Sequence, residues 1–241
     1  MVQQSDFAYV QARVQARHGT RPSDADWRRL EAVTDLTGYL HGVRETSLAP
    51  WIRPLTPSAG SHEIERSLRE RWSSYVLRIS SWSPSPWRPA IAWLSVLPLL
   101  PAIEYSRQGG VSLAWSHNDP ELKSLDTGVV SELALRDPLD TWLSRWQRLW
   151  PRAPGSERLA LTGLQKAVGH HLQSMSVARG IQDGDKFRAE LEAVFRRFFR
   201  RYAQSAVAVF CHLGLTALDV ERMRGGLVQR RLFPPAAGAA R

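Results

Sequence analysis

Histidine, cysteine and clustered arginine are the side chains here that could bind a metal, attack a substrate or hold an anion. His62-Glu63 has the opening of a zinc-protease helix, H-E-x-x-H, in which two histidines one turn apart grip the metal and the glutamate activates water. Position 66 is Arg, so the second ligand is missing and that chemistry is excluded. His170 and His171 are adjacent; helical neighbours diverge by about 100°, so the two cannot share one ion from regular helical geometry. Cys211 is the only cysteine, which rules out an intramolecular disulfide and a cysteine-based zinc cluster. It lies in the apolar run 206–215 and is expected to be a buried, inert thiol. No Walker-type loop, no G-x-S-x-G elbow and no G-x-G-x-x-G after a strand occurs. A catalytic site would have to be assembled from scattered residues such as Glu132, Asp137 and His170. No catalytic residue, metal, cofactor or small-molecule ligand is therefore expected.

Arginine is the other chemically loaded type. The net charge is +9, and 29 of the 32 basic residues are Arg, whose planar fork suits carboxylates, phosphates and aromatic faces. Arg196, Arg197, Arg200 and Arg201 form two i,i+4 pairs, and like charges at that spacing repel by a few tenths of a kcal/mol. Within residues 186–231 ten basic residues stand against four acidic ones, so this stretch carries much of the excess charge. With Arg222 and Arg224 the four arginines are the candidate partner-binding set, for an acidic protein surface or lipid headgroups; a solvated helix face is the alternative. No named nucleic-acid motif is present, and nucleic acid is not the expected partner. Trp142, Trp146 and Trp150 recur every four residues and fall on one helix face, as core or as an exposed interface.

These residues need helices to position them. Ser5 or Asp6 is placed to cap a first helix carrying Phe7, Val10 and Val14. Ser23 with Asp26 forms a capping-box analogue for a second, and Asp35 caps a third with Tyr39, Leu40 and Val43 on one side. Pro54 and Pro57 mark a loop. Ser61 opens a long amphipathic helix through Ile64, Leu68, Trp72, Tyr75, Val76, Ile79 and Trp82. Closely spaced prolines in residues 83–89 end it. Residues 111–115 are the best case for a short strand or hairpin. Asp137-Pro138 is an N-cap with proline at N1, opening the tryptophan helix. Ser156 opens another, with Gly180 as its C′ residue. Asp183 or Asp185 starts the next, through Phe187, Leu191, Phe195 and Phe198, with a continuation to His212 left open. Thr216 or Asp219 begins the last. Gly225-Gly226 falls inside it at a cost of about 1 kcal/mol per glycine relative to Ala, which points to close helix packing or a bend.

The expected fold is all-α: an elongated multi-helix bundle of two related modules, 1–108 and 131–233, joined by an irregular connector over 109–130 and ending in a frayed tail over 234–241. A chain of 241 residues can bury a core without staples. The apolar run 89–103 carries Pro89, Pro98 and Pro101 and is shorter than the roughly 20 apolar residues of a spanning helix; it reads as a buried, broken helical segment. The amino terminus lacks a basic-then-apolar signal pattern, and a cytoplasmic location is expected.

Two stretches resemble the C (also called d) subunit of V-type and archaeal-type rotary ATPases. Tyr9, Ala12, Arg13 and Val14 match that family's Y-x-x-A-R-V-x-A opening helix, and Ile64, Glu65, Leu68 and Arg69 match its I-E-x-x-L-R segment. Near the other end, Val220, Arg224 and Leu227 match a late helix of the form E-V-x-N-L-R-x-x-L-x, with Met223 for Leu and Arg222 for Asn. Family members are longer and contain three related helical modules; this chain has room for about two. The resemblance implies a non-catalytic coupling piece on the cytoplasmic face of the proteolipid ring, peripheral to the membrane through its partners, the shaft and ring subunits. It would receive the central shaft and transmit torque. A basic helical adaptor for an acidic protein or nucleic acid is the alternative.

Overall fold

The computed structural model describes residues 4–109, 132, 133, 135–177 and 181–234. Among them every regular element is helical, in agreement with the all-α expectation. The expected hairpin at 111–115, most of the connector, the Gly180 cap and most of the tail lie outside the described residues.

The helices are α1 (Ala8–Gly19), α2 (Asp24–Ala32), α3 (Leu36–Arg44), α4 (Ala49–Ile52), α5 (Ser61–Trp82), α6 (Arg88–Ala92), α7 (Leu100–Arg107), α8 (Pro138–Arg148), α9 (Gly155–Val177), α10 (Ile181–Arg201) and α11 (Ala206–Leu232). Local chemistry sets several starts. The Ser23 side chain accepts from the Asp26 amide while Asp26 accepts from the Ser23 amide, closing a capping box on α2. Asp35 and Asp137 each accept from the amide three residues on, capping α3 and α8. The first helix departs from expectation: a 3-10 turn, Gln4–Phe7, precedes α1, and no side chain caps it. Likewise Gly60, without a side-chain cap, precedes α5.

The organising element is α11. Its residues 206–213 are all buried, and it packs against α1, α3, α5, α9 and α10. A helix apolar on every side belongs at the centre of a core, so residues from both ends of the chain share one hydrophobic cluster. The start of the last helix differs from the one expected at Thr216 or Asp219. Helix α10 stops at Arg201, the chain turns with Gln204 in the left-handed region at φ 59°, and α11 begins at Ala206. The turn is held by the Gln204 amide donating to the Gln11 side chain at 3.2 Å. Neither Thr216 nor Asp219 caps anything. The Thr216 hydroxyl donates back to the His212 carbonyl at 2.9 Å, and Asp219 is bound to Arg21.

Ser85–Arg107 is apolar enough to cross a membrane by length and composition alone. It folds as two short α-helices interleaved with 3-10 turns. Pro86, Pro89, Pro98 and Pro101 remove the amide donors a continuous helix would need. Ala90, Ile91, Leu94, Val96 and Leu99 are buried. The Trp72 indole N–H donates to the Leu94 carbonyl at 2.8 Å, fastening this segment to α5.

Candidate functional site

The candidate arginines divide by what already holds them. Arg222 grips Glu31 and lies 4.7 Å from the Trp27 ring centroid. Arg224 pairs with Glu65 at 2.9 Å, and Arg196 with Glu192 at 2.7 Å. Arg197 and Arg201 lie over their own neighbours' rings, Phe198 and Tyr202, at 5.6 and 5.7 Å. Arg197, Arg200 and Arg201 are exposed, and no carboxylate of the described residues forms an ion pair with them. Their helix turns its apolar face inward through Leu191, Phe195 and Phe199. So the sequence-predicted set separates into three arginines bound to internal acids and three that face solvent.

The resemblance residues converge. Val14, Ile64, Leu68, Val220 and Leu227 are all buried where α1, α5 and α11 meet. Arg13 lies 4.6 Å from the Tyr9 centroid and 4.5 Å from that of Trp82, so this cation joins α1 to the end of α5. The Arg224–Glu65 pair joins α11 to α5 across 159 positions of sequence. Tyr9, Ala12, Arg13 and Arg224 are exposed, and Glu65 and Arg69 are half-buried.

Sequence reading missed two internal cations, Arg21, which is half-buried, and Arg230, which is buried. Arg21 holds Asp219 through two bonds, 2.6 and 2.8 Å, and Glu192 at 3.1 Å. Burial pushes the Asp219 carboxyl up against the pull of Arg21. Arg230 donates to the carbonyls of Leu30, Glu31 and Val33, satisfying the end of α2, and lies 4.1 Å from the Tyr39 centroid. Both look like surface arginines in sequence; only distant helix ends identify them. Burial raises the Tyr39 phenol to about 12.

The second feature is a half-open cavity of about 800 Å³ between α5, α7, α8, α9, α10 and α11. Its floor is aromatic and aliphatic: Trp72, Trp142, Trp146, Phe195, Phe210 and Leu213. The tryptophan stripe is therefore internal, with Trp142 stacked on Trp146 at 5.8 Å and Trp146 edge-on to Trp150 at 5.3 Å. The indole N–H groups of all three are covered and have no partner among the described residues, so the floor shows hydrocarbon and ring surface. His171, also on the wall, is buried, with Nδ1 3.3 Å from the Phe187 carbonyl oxygen; burial lowers its pKa. The mouth carries charge: Glu63, Arg66, Arg69, Glu221 and Arg224, beside Tyr105.

Two of the three scattered catalytic candidates have structural partners. Glu132 holds Arg145 and Arg148 at 3.1 and 2.8 Å, Asp137 caps α8, and His170 is exposed. Among the described residues no three His, Cys, Asp or Glu side chains group in a way that could hold a metal. Cys211 is buried, and burial pushes its thiol pKa up. Comparison with known proteins finds no match to this chain among protein families, curated proteins or solved structures.

Proposed function

We propose that the chain is a non-catalytic coupling piece of a V-type rotary ATPase, similar to the shaft-receiving family whose motifs it resembles. The observation that carries the reading is the Arg224–Glu65 ion pair. It links the late motif helix to the I-E-x-x-L-R helix, while α1, with the opening motif, packs on the same pair. Residues matched only by short, separate sequence motifs thus form one packed unit, as parts of one scaffold would. The opening turns of α11, buried on all sides, suit a body that transmits force without deforming, since close-packed interiors are stiff. In this reading the chain docks through its partners, the shaft and the proteolipid ring. The test is affinity capture from detergent-solubilised membranes of the native cell, using a tag on this chain. Recovery of shaft and ring subunits in fixed proportion supports the proposal, and their absence at native expression overturns it.

A second reading is favoured by Arg197, Arg200 and Arg201, which project from α10 without an acidic partner among the described residues. It is a basic helical adaptor for an acidic protein surface. Triple substitution of these arginines by Gln would abolish capture of such a partner while leaving the fold intact.

A further inference from the structure

We infer that the 800 Å³ cavity binds an uncharged single-chain amphiphile, a long hydrocarbon body with a hydrogen-bonding head of no net charge. This inference does not depend on the coupling reading. The volume falls within the roughly 300–1,000 Å³ range of small-molecule sites. The floor dictates the body. Trp72, Trp142, Trp146, Phe195, Phe210 and Leu213 present rings and methyl groups, and the indole N–H groups of Trp142 and Trp146 are covered, so no indole donor on the floor asks for a polar ligand atom. Water gains few hydrogen bonds in such a space, and apolar cavities take up hydrocarbon instead.

The mouth dictates the head. Glu65 is bound to Arg224 at 2.9 Å, and Glu221 lies 3.9 Å from Arg188. These pairs compensate their own charges. Glu63 and Arg66 stand three residues apart on α5 and both reach solvent, a spacing at which opposite charges attract. Arg69, half-buried at the same mouth, is likewise engaged, so a carboxylate or an ammonium head would meet charges of both signs. A hydroxyl or ester head finds donors and acceptors of both kinds. A net charge at the edge of an aromatic cavity would have to draw its compensating partner from these balanced charges, whereas a neutral head needs only hydrogen bonds.

The test uses the full chain, purified without detergent, and three probes of equal chain length below their micelle concentrations: monopalmitoylglycerol, palmitate and hexadecyltrimethylammonium. Binding is read by tryptophan emission, since three indoles form the wall, and by titration calorimetry. The neutral probe is expected to saturate at one site per chain and to bind at least ten-fold tighter than either charged probe. Val168→Phe and Ala217→Phe each place a ring in the cavity from a half-buried wall position. Each is expected to weaken the neutral probe at least ten-fold, with circular dichroism and melting temperature unchanged. Failure of every probe to saturate overturns the proposal. So does native-like binding by both variants, which would put the ligand elsewhere on the chain. Equal or tighter binding of a charged probe overturns the assignment of the head.

Discussion

Acid should unfold this protein through one buried histidine. His212 is 1% exposed on α11, its Nε2 lies 2.7 Å from the Tyr75 hydroxyl, and burial lowers its pKa from 6.5 to about 3. The nearby cations His18, Arg17 and Arg21 act in the same direction. A depressed folded-state pKa means the unfolded chain takes up the proton first. The stability contribution is therefore whole above the unfolded pKa of 6.5 and is lost as pH falls toward about 3. One pKa unit corresponds to about 1.4 kcal/mol, so moving from pH 7 to pH 5 should remove about 2 kcal/mol through His212 alone. His18 and His171, whose pKa values burial also lowers, add to the slope. Asp219 and Glu157 are raised by burial and act in the opposite sense; both are shared by the native chain and a His212 variant, so the difference between the two isolates His212. The assay is urea unfolding at both pH values for the native chain and for His212→Gln. Gln can keep a bond to Tyr75 but does not titrate. The native chain should lose about 2 kcal/mol more than the variant over this window. Equal losses would refute the placement of His212 as a neutral, buried group.

Other perturbations separate buried from exposed features. A Cβ on Gly226 would collide with the Tyr39 ring, while one on Gly225 meets nothing within 4 Å. Gly226→Ala should therefore cost about 1–3 kcal/mol by overpacking, and Gly225→Ala should gain up to about 1 kcal/mol from helix propensity, both read by chemical denaturation. Arg230→Met removes the donors to the end of α2 and should cost about 1–3 kcal/mol in the same assay. Arg21→Met strands Asp219 in a buried position and should cost about 3–5 kcal/mol. Arg224→Ala breaks a half-exposed pair, so its loss should stay under about 1 kcal/mol; a larger loss would mean that pair is more desolvated than its exposure indicates.

Much of the helical layout was legible because local chemistry marks it. The Ser23–Asp26 box, the Asp35 cap and the Asp137-Pro138 start are short-range signals, and each appears as expected. The stripe from Ile64 to Ile79 was equally readable, since α5 buries one face only. The boundary between α10 and α11 was not legible. A helix apolar on all sides carries no period to mark its start, and the turn at Gln204 has neither glycine nor proline. The tryptophan stripe could be placed on one face but not inside or outside, because burial depends on helices remote in sequence. The cavity is collective in the same way. It draws on six helices, and each contributing residue alone looks like ordinary core.

The most direct test of a coupling role is ATP-driven ion transport in membrane vesicles from cells lacking this chain. Transport should collapse relative to ATP hydrolysis and return when the chain is restored. An unchanged ratio of ions moved to ATP hydrolysed would contradict that role.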